Sequence, residues 1–318
     1  FLNGPTEVLC AMLDDWEITH ERRDLPAPVW QFMREQGFFG LVIPREYGGH
    51  GFSAQAHSAI VGKIGSRSVS AGITVMVPNS LGPAELLLRH GTEEQRRHYL
   101  PRLARGDEIP CFALTGPEAG SDASATPDTG VVCHGLHEGK EILGIRLSWN
   151  KRYITLAPVA TVLGLAFRLR DPDRLLGNNE DIGITLALIP AQHPGVEIGR
   201  RHSPANQAFM NGPTRGRDVF IPLAWIIGGR EQAGHGWAML MNALAAGRGI
   251  SLPAMGTAAS KQMARVTAQY ASLRQQFHLP IGKLEGVEEV IARMAGHAYA
   301  LEAARRLTCV GLDLGEEP

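Results

Sequence analysis

The spacing of the apolar residues changes twice along the chain, and this change limits the possible folds more than any other feature. In the first third they recur at helical spacing, as Val29 and Met33 do. In the middle third they alternate with polar residues, as Ile145 and Leu147 do, which is typical of half-buried strands. The helical spacing then returns. The pattern predicts a multidomain α+β protein with a helical domain over 1–110, a β domain over 111–230 and further helices over 231–318.

The β domain is predicted to contain strands at 145–149, 153–169 and 184–189, with a polar loop over 171–181. No helical pattern separates these strands, and the chain contains no Gly-x-Gly-x-x-Gly motif. A parallel βαβ nucleotide-binding fold is therefore excluded.

The helical regions carry one start signal and several helix patterns. Thr92 followed by Gln95 is a capping-box pattern, which predicts that a helix begins there. Toward the C-terminus one helix is predicted from about Trp237, and separate helices are predicted over 258–277 and 287–307.

One stretch, Cys111 to Asp122, has the composition of a strand that leads into a ligand-binding loop. Its first four residues are apolar, and Gly116, Pro117 and Gly120 then interrupt the pattern. Glycine lets backbone N–H groups approach a ligand closely, and a concave run of such groups suits an anion. The stretch is compatible with a cradle for a phosphorylated cofactor, but on the residues alone an ordinary turn is the simpler interpretation.

The same stretch, CFALTGPEAGSD, resembles the flavin-binding signature of the acyl-CoA dehydrogenase family, which usually has Thr-Glu-Pro in place of Thr-Gly-Pro. Four further motifs match that family in the same order, which makes the resemblance specific. They are LVIPREYGG at 41–49, RHGTEEQRRHYLPRLARG at 89–106, Tyr-Ile-Thr at 153–155, and Arg-x-x-Phe at 274–277 followed by Pro-Ile-Gly. The strings WNKRYITLAP and NGPTRG look most like the large bacterial acyl-CoA dehydrogenases of fatty-acid β-oxidation.

The resemblance implies an N-terminal helical domain, a small β domain (a barrel or orthogonal sheets) that holds FAD, and an incomplete C-terminal helical bundle. Thr155 would hydrogen-bond near the flavin N5 atom, and the ring of Tyr153 would pack beside the flavin, where the family usually has Trp. Ser121 would reach the FAD pyrophosphate or the thioester arm of CoA. The implied FAD-binding residues of this region are Phe112, Leu114, Thr115, Ser121, Tyr153 and Thr155. Without the resemblance, Tyr153 and Thr155 would be ordinary strand residues.

Arg274 and Phe277 match the family's arginine motif. A guanidinium group binds phosphate oxygens through its planar fork of donors. In the family this pair reaches the FAD of a neighbouring subunit, so the resemblance implies a homo-oligomer, either a dimer or a tetramer. From the residues alone, the alternative interpretation of Arg274 is an ordinary surface arginine. Arg248 matches a family arginine near the CoA thioester and, with Ser121, is expected to contact the substrate.

No residue of the chain is predicted to be the catalytic base. Some family members carry a glutamate where this chain has Gly247, so that source is excluded. In other branches the glutamate follows the last bundle helix. The base is therefore expected beyond Pro318.

Composition excludes several other classes of protein. The chain has 31 basic and 32 acidic residues, which argues against a nucleic-acid binder with a broad basic surface. No apolar run is long enough to span a bilayer. The four cysteines and twelve histidines show no metal-binding spacing, so no metal is expected. Because no signal peptide is present, we expect a cytoplasmic protein, with any membrane association arising from segments outside this sequence.

The expected function is FAD-dependent α,β-dehydrogenation of a medium- to long-chain fatty acyl-CoA, with electrons passed to electron-transfer flavoprotein. Two alternatives remain open. One is an acyl-CoA oxidase or related flavoenzyme, in which O₂ reoxidises the flavin. The other is a non-catalytic module of the same fold that binds acyl-CoA or another protein.

Overall fold

The computed structural model describes residues 1–316, apart from the side chains of residues 81 and 244–246. Glu317 and Pro318, the last residues of the predicted C-terminal part, lie outside the described residues. Within the described part, no helix combines the length and the apolar character needed to cross a membrane.

Helices form both ends of the chain and strands form its middle. The helices are α1 (Pro5–Met12), α2 (Ala27–Glu35), α3 (Ala54–Arg67), α4 (Val69–Met76), α5 (Pro83–His90), α6 (Glu93–Arg105), α7 (Gly236–Leu273) and α8 (Glu285–Asp313). The strands are β1 (Pro110–Ala113), β2 (Thr129–His137), β3 (Lys140–Thr155), β4 (Val162–Arg170), β5 (Asp181–Pro190), β6 (Val196–Ile198), β7 (Asn211–Pro222), β8 (Gln275–Gln276) and β9 (Leu279–Pro280). The predicted α+β class is confirmed, whereas the domain limits at 110 and 230 stay predictions.

The capping box at the start of α6 is confirmed. The Thr92 hydroxyl accepts a hydrogen bond from the Gln95 backbone N–H, and the Gln95 side chain accepts one from the Thr92 N–H. Gln95 also donates to the carbonyls of Ala224 and Ile226 at 2.9 and 2.7 Å. One glutamine therefore both starts a helix and ties it to the segment after β7.

The middle strands form one seven-stranded sheet built around β4. One edge of β4 pairs antiparallel with β5. Two strands share its other edge: β1 pairs parallel with the first half of β4, and β2 pairs parallel with the second half. The sheet continues from β2 through the antiparallel strands β3, β7 and β6. The predicted strand region 153–169 is wrong as one unit, because a 3₁₀ turn at Ala157–Val159 separates β3 from β4. Pro158 lies in that turn and has no N–H for a ladder.

The C-terminal region also differs from the prediction. The helix starting near Trp237 and the one predicted over 258–277 form a single helix, α7, which runs through Pro253. It ends at Leu273, and the next residues form the short β8–β9 hairpin. Phe277 and His278 make the turn of this hairpin with φ values of 53° and 62°, so Phe277 is not helical.

The hydrophobic core joins the helical and β parts. One buried cluster contains Leu86 and Leu87 of α5, Leu186 of β5 and Leu240 of α7. Helix α7 therefore packs against both α5 and β5. A second cluster links the N-terminal helices to the sheet.

One buried histidine makes the stability of this core depend on pH. His57 of α3 is 0% exposed, and neither ring nitrogen has a hydrogen-bond partner among the described residues. Burial disfavours the charged imidazolium, which lowers the pKa of His57 from 6.5 to about 4.

We expect the contribution of His57 to the free energy of unfolding to be full above pH 6.5 and to fall as the pH drops toward 4. In that window the unfolded chain binds a proton that the folded protein excludes. The full loss is about 3 kcal/mol. Urea unfolding across this range should show a shallower acid decline for His57→Leu than for the wild type. His297→Leu, at an exposed position of α8, is the control. Parallel wild-type and His57→Leu curves would contradict the assignment.

Candidate functional site

A cavity of about 170 Å³ lies where the end of β1, the end of β3, α7 and the π-helical turn Val77–Leu81 meet. Its lining consists of Val77, Phe112, Leu114, Thr115, Tyr153, Ile154, Thr155 and Arg248. Six of the side chains singled out in the sequence are therefore brought together around one space, although they come from three separate regions of the chain.

Three other predicted residues do not belong to this lining. Ser121 is exposed in the loop after β1. Arg274 caps the end of α7, and Phe277, in the β8–β9 turn, is 81% exposed. A positive φ at a phenylalanine is strained, and such strain often marks a functional segment. The roles of these three residues, and of the six that line the cavity, stay predictions.

The Tyr153 segment gets its shape from an irregularity in the sheet. The pairing of β3 with β7 shifts register between Lys151 and Ile154, and Tyr153 in this bulge adopts a φ of 59°. Tyr153 is 55% exposed, and its ring lies 4.9 Å from the ring of His202. The bulge therefore presents an aromatic face at the cavity instead of burying it in the sheet.

Asn211 holds this segment in place. It is buried, it stands directly opposite Thr155 in the β3–β7 register, and its amide nitrogen lies 3.0 Å from the Tyr153 carbonyl oxygen and 3.2 Å from Thr155 Oγ1. Sequence analysis used this residue only as part of the NGPTRG string. Its contact with Thr155 depends on strand pairing, which the sequence pattern does not reveal.

A buried ion pair supports the other side of the cavity. Lys151 Nζ lies 2.6 Å from Asp128 Oδ2, and the two residues are 0% and 4% exposed. The same ammonium group donates to the Leu114 carbonyl at 2.7 Å and to Thr126 Oγ1 at 3.0 Å. Sequence analysis missed both charged residues, because only the fold brings 128 and 151 together.

This ion pair fixes the backbone that faces the cavity. The peptide unit between Leu114 and Thr115 is planar and trans, so its N–H points opposite to its carbonyl. Since Lys151 holds the Leu114 carbonyl, it also sets the direction of the Thr115 N–H. Burial lowers the pKa of the Lys151 ammonium, and the Asp128 carboxylate partly offsets this effect.

The surroundings of Gly247 leave no room for a side chain. A Cβ atom on Gly247 would overlap the carbonyl oxygen of Ser80 in the π-helical turn. A glutamate at 247 would therefore have to displace that turn. Among the described residues that line the cavity, none carries a carboxylate.

Comparison with known proteins assigns the family. The family model for the acyl-CoA dehydrogenase N-terminal domain matches residues 6–107, and the model for the acyl-CoA dehydrogenase middle domain matches residues 111–219. An acyl-CoA dehydrogenase of Bacillus subtilis (strain 168) is 30% identical over 303 residues, which cover 94% of this chain and 73% of that protein. The chain belongs to the acyl-CoA dehydrogenase family.

Two further relatives are considerably longer than the matched region. Probable acyl-CoA dehydrogenase FadE10 of Mycobacterium tuberculosis (strain ATCC 25618 / H37Rv) is 32% identical over 95% of this chain, which spans 44% of that protein. Protein HemX of Proteus mirabilis is 58% identical over 102 residues, or 32% of this chain and 60% of that protein. The chain thus spans less than two thirds of the length of each of these two relatives.

Solved structures agree with the fold. The crystal structure of acyl-CoA dehydrogenase from Geobacillus kaustophilus superimposes with a TM-score of 0.82 at 23% identity, covering 100% of this chain and 77% of that one. The predicted family and fold are confirmed.

The cavity residues fit the FAD of this family. Tyr153 and Phe112 provide aromatic surface for a flat ring, while Thr115 and Thr155 provide hydroxyl groups. In the loop after β1, a Cβ atom added to Gly120 would meet no neighbouring atom within 4 Å, so the loop backbone there is open.

We expect Lys151→Met to lower the free energy of unfolding by about 3–5 kcal/mol, because it leaves the Asp128 carboxylate buried without its counterion. The double variant Lys151→Met/Asp128→Asn removes both charges and should recover a large part of this loss. Urea unfolding measures both effects.

The matched control is Arg97→Met, which breaks an exposed pair with Glu93 and should cost less than about 1 kcal/mol. If Lys151→Met cost no more than this control, the ion pair would not support the site.

Proposed function

We propose that the protein is an FAD-dependent acyl-CoA dehydrogenase that converts a fatty acyl-CoA to the trans-2-enoyl-CoA. The observation that carries this proposal is the single cavity lined by Phe112, Leu114, Thr115, Tyr153 and Thr155, in a chain of this family. When bound, FAD supplies the acceptor for the hydride that leaves the β carbon.

The cavity residues would bind the flavin and orient its ring. The backbone at Leu114 and Thr115 and the hydroxyl groups of Thr115 and Thr155 would hold the polar edge of the flavin, and Tyr153 would pack beside its ring. The apolar side chains of Phe112 and Val77 would keep water away from the reacting carbons, which strengthens nearby hydrogen bonds.

Arg248 and Ser121 would form the substrate side of the site. Arg248 lines the cavity and would bind the CoA thioester end, and Ser121 would contact the thioester arm or the pyrophosphate. A thioester α-proton is weakly acidic, so its removal requires a base in a dry site. Because the described lining contains no carboxylate, we place this base on a glutamate outside residues 1–318.

The remaining parts of the proposal concern partners. Arg274 and Phe277 would reach the FAD of a neighbouring copy, which requires a homo-oligomer. The electrons would pass to electron-transfer flavoprotein, in cytoplasmic β-oxidation of medium- to long-chain substrates. The exposed, strained position of Phe277 supports a contact outside its own chain.

Anaerobic titration of the natural full-length protein with long-chain acyl-CoA, followed at the visible flavin band, tests the proposal. We expect a yellow protein that bleaches on addition of substrate, and shorter chains would rank the chain-length preference. Arg248→Met should weaken acyl-CoA binding roughly tenfold through loss of a charged hydrogen bond, without loss of FAD.

Arg265→Met, the same change at an exposed position of the same helix, is the matched control and should titrate like the wild type. A colourless protein that FAD cannot reconstitute would contradict the proposal in favour of a binding module. Aerobic peroxide production with acyl-CoA would instead identify an oxidase.

A further inference from the structure

Asn211 occupies a position from which it can control the hydrogen-bonding direction of Thr155. It is the first residue of β7, it is 2% exposed, and it pairs with Thr155 across the β3–β7 ladder. The two residues are 56 positions apart in the sequence. Their contact is therefore a product of the sheet register and not of local sequence.

The orientation of the Asn211 amide is fixed by its surroundings. Its Nδ2 atom lies 3.0 Å from the carbonyl oxygen of Tyr153, which can only accept a hydrogen bond. A flipped amide would place two oxygen atoms in contact there. The NH₂ group must therefore face Tyr153, and its second hydrogen is directed to Thr155 Oγ1 at 3.2 Å.

The oxygen of the Asn211 amide determines which ring nitrogen of His202 carries a hydrogen. Asn211 Oδ1 lies 3.2 Å from Nδ1 of His202, and the His202 backbone N–H donates to the Asn211 carbonyl at 2.8 Å. Because an amide oxygen only accepts, Nδ1 of His202 must carry a hydrogen. The amide therefore lies between two contacts of defined polarity.

These contacts determine what the Thr155 hydroxyl can do. A threonine hydroxyl has one hydrogen to donate and can accept through its oxygen. Since the oxygen accepts from Asn211, the hydrogen is left free, and the described residues offer no acceptor for it at hydrogen-bonding distance. Thr155 lines the cavity, so the free hydrogen is available to a ligand there.

The geometry points to Asn211 as a positioning residue that makes the Thr155 hydroxyl a hydrogen-bond donor toward the cofactor. The inference rests on the proposed FAD site and adds the residue that sets the polarity of its hydrogen bond. Oxidised flavin presents unprotonated ring nitrogens, which accept such a bond.

Asn211→Asp is the sharpest test, because it preserves the size of the side chain and replaces its only donor by an acceptor. Thr155 would then donate to the carboxylate instead of the cavity. We expect FAD binding to the apoprotein, measured by quenching of flavin fluorescence, to weaken about tenfold, as for the loss of one hydrogen bond. Thr155→Val should cause a similar loss.

The combination of the two changes separates positioning from general damage. If Asn211 acts through Thr155, Asn211→Asp should have little further effect on FAD affinity in the Thr155→Val background. Asn179→Asp, in an exposed loop, is the control for the added charge. Fully additive losses in the double variant, or unchanged affinity in Asn211→Asp, would overturn the inference.

A measurement that does not involve FAD tests the same hydrogen-bond chain. Nitrogen-15 NMR of the histidine rings should show a hydrogen on Nδ1 of His202 in the wild type, and an Nε2-only tautomer would overturn the inference. Failure of the wild-type protein to bind FAD at all is a different result, since it would contradict the proposed function itself.

Discussion

Two charges lie inside the middle of this protein, where both are almost completely buried. Lys151 and Asp128 satisfy one another, and the remaining bonds of the pair extend to the loop after β1, to Thr126 and to the backbone of Asn150. Burying an ion pair is costly, and removal of one partner is costlier still. The loop and the strand end that form the cavity therefore have to keep the arrangement that satisfies both charges.

The second constraint comes from the ladder between β3 and β7. At the register shift after Lys151, the backbone of Tyr153 adopts a positive φ. Asn211 on the opposite strand donates a hydrogen bond to the carbonyl of that strained residue. The same strand end therefore contributes a buried anchor, an exposed aromatic ring and the Thr155 hydroxyl within five residues. The sheet register, more than any single motif, positions the groups that would meet a flavin.

The sequence predicted the parts of the structure that depend on local pattern or on a short motif. The helical, β and helical regions, the capping box at Thr92 and the strand at Cys111 follow from residue spacing. Non-local contacts could not be predicted this way, which explains why Lys151, Asp128 and Asn211 were missed. The continuity of α7 was missed because the helical spacing was recognised in two separate stretches, whereas α7 runs unbroken through Pro253 and packs closely on α3. Gly62 and Gly65 allow that approach, since Ala254 and Met255 occupy the space of their missing side chains.

The central claim is that the cavity beside Tyr153 and Thr155 receives the flavin ring. A crystal structure of the full-length protein with FAD tests it most directly. We expect ring density against Tyr153, with Thr155 Oγ1 and the Thr115 N–H within hydrogen-bonding distance of the ring and Lys151 still bonded to the Leu114 carbonyl. Flavin density elsewhere, or a ring that contacts neither threonine, would contradict it.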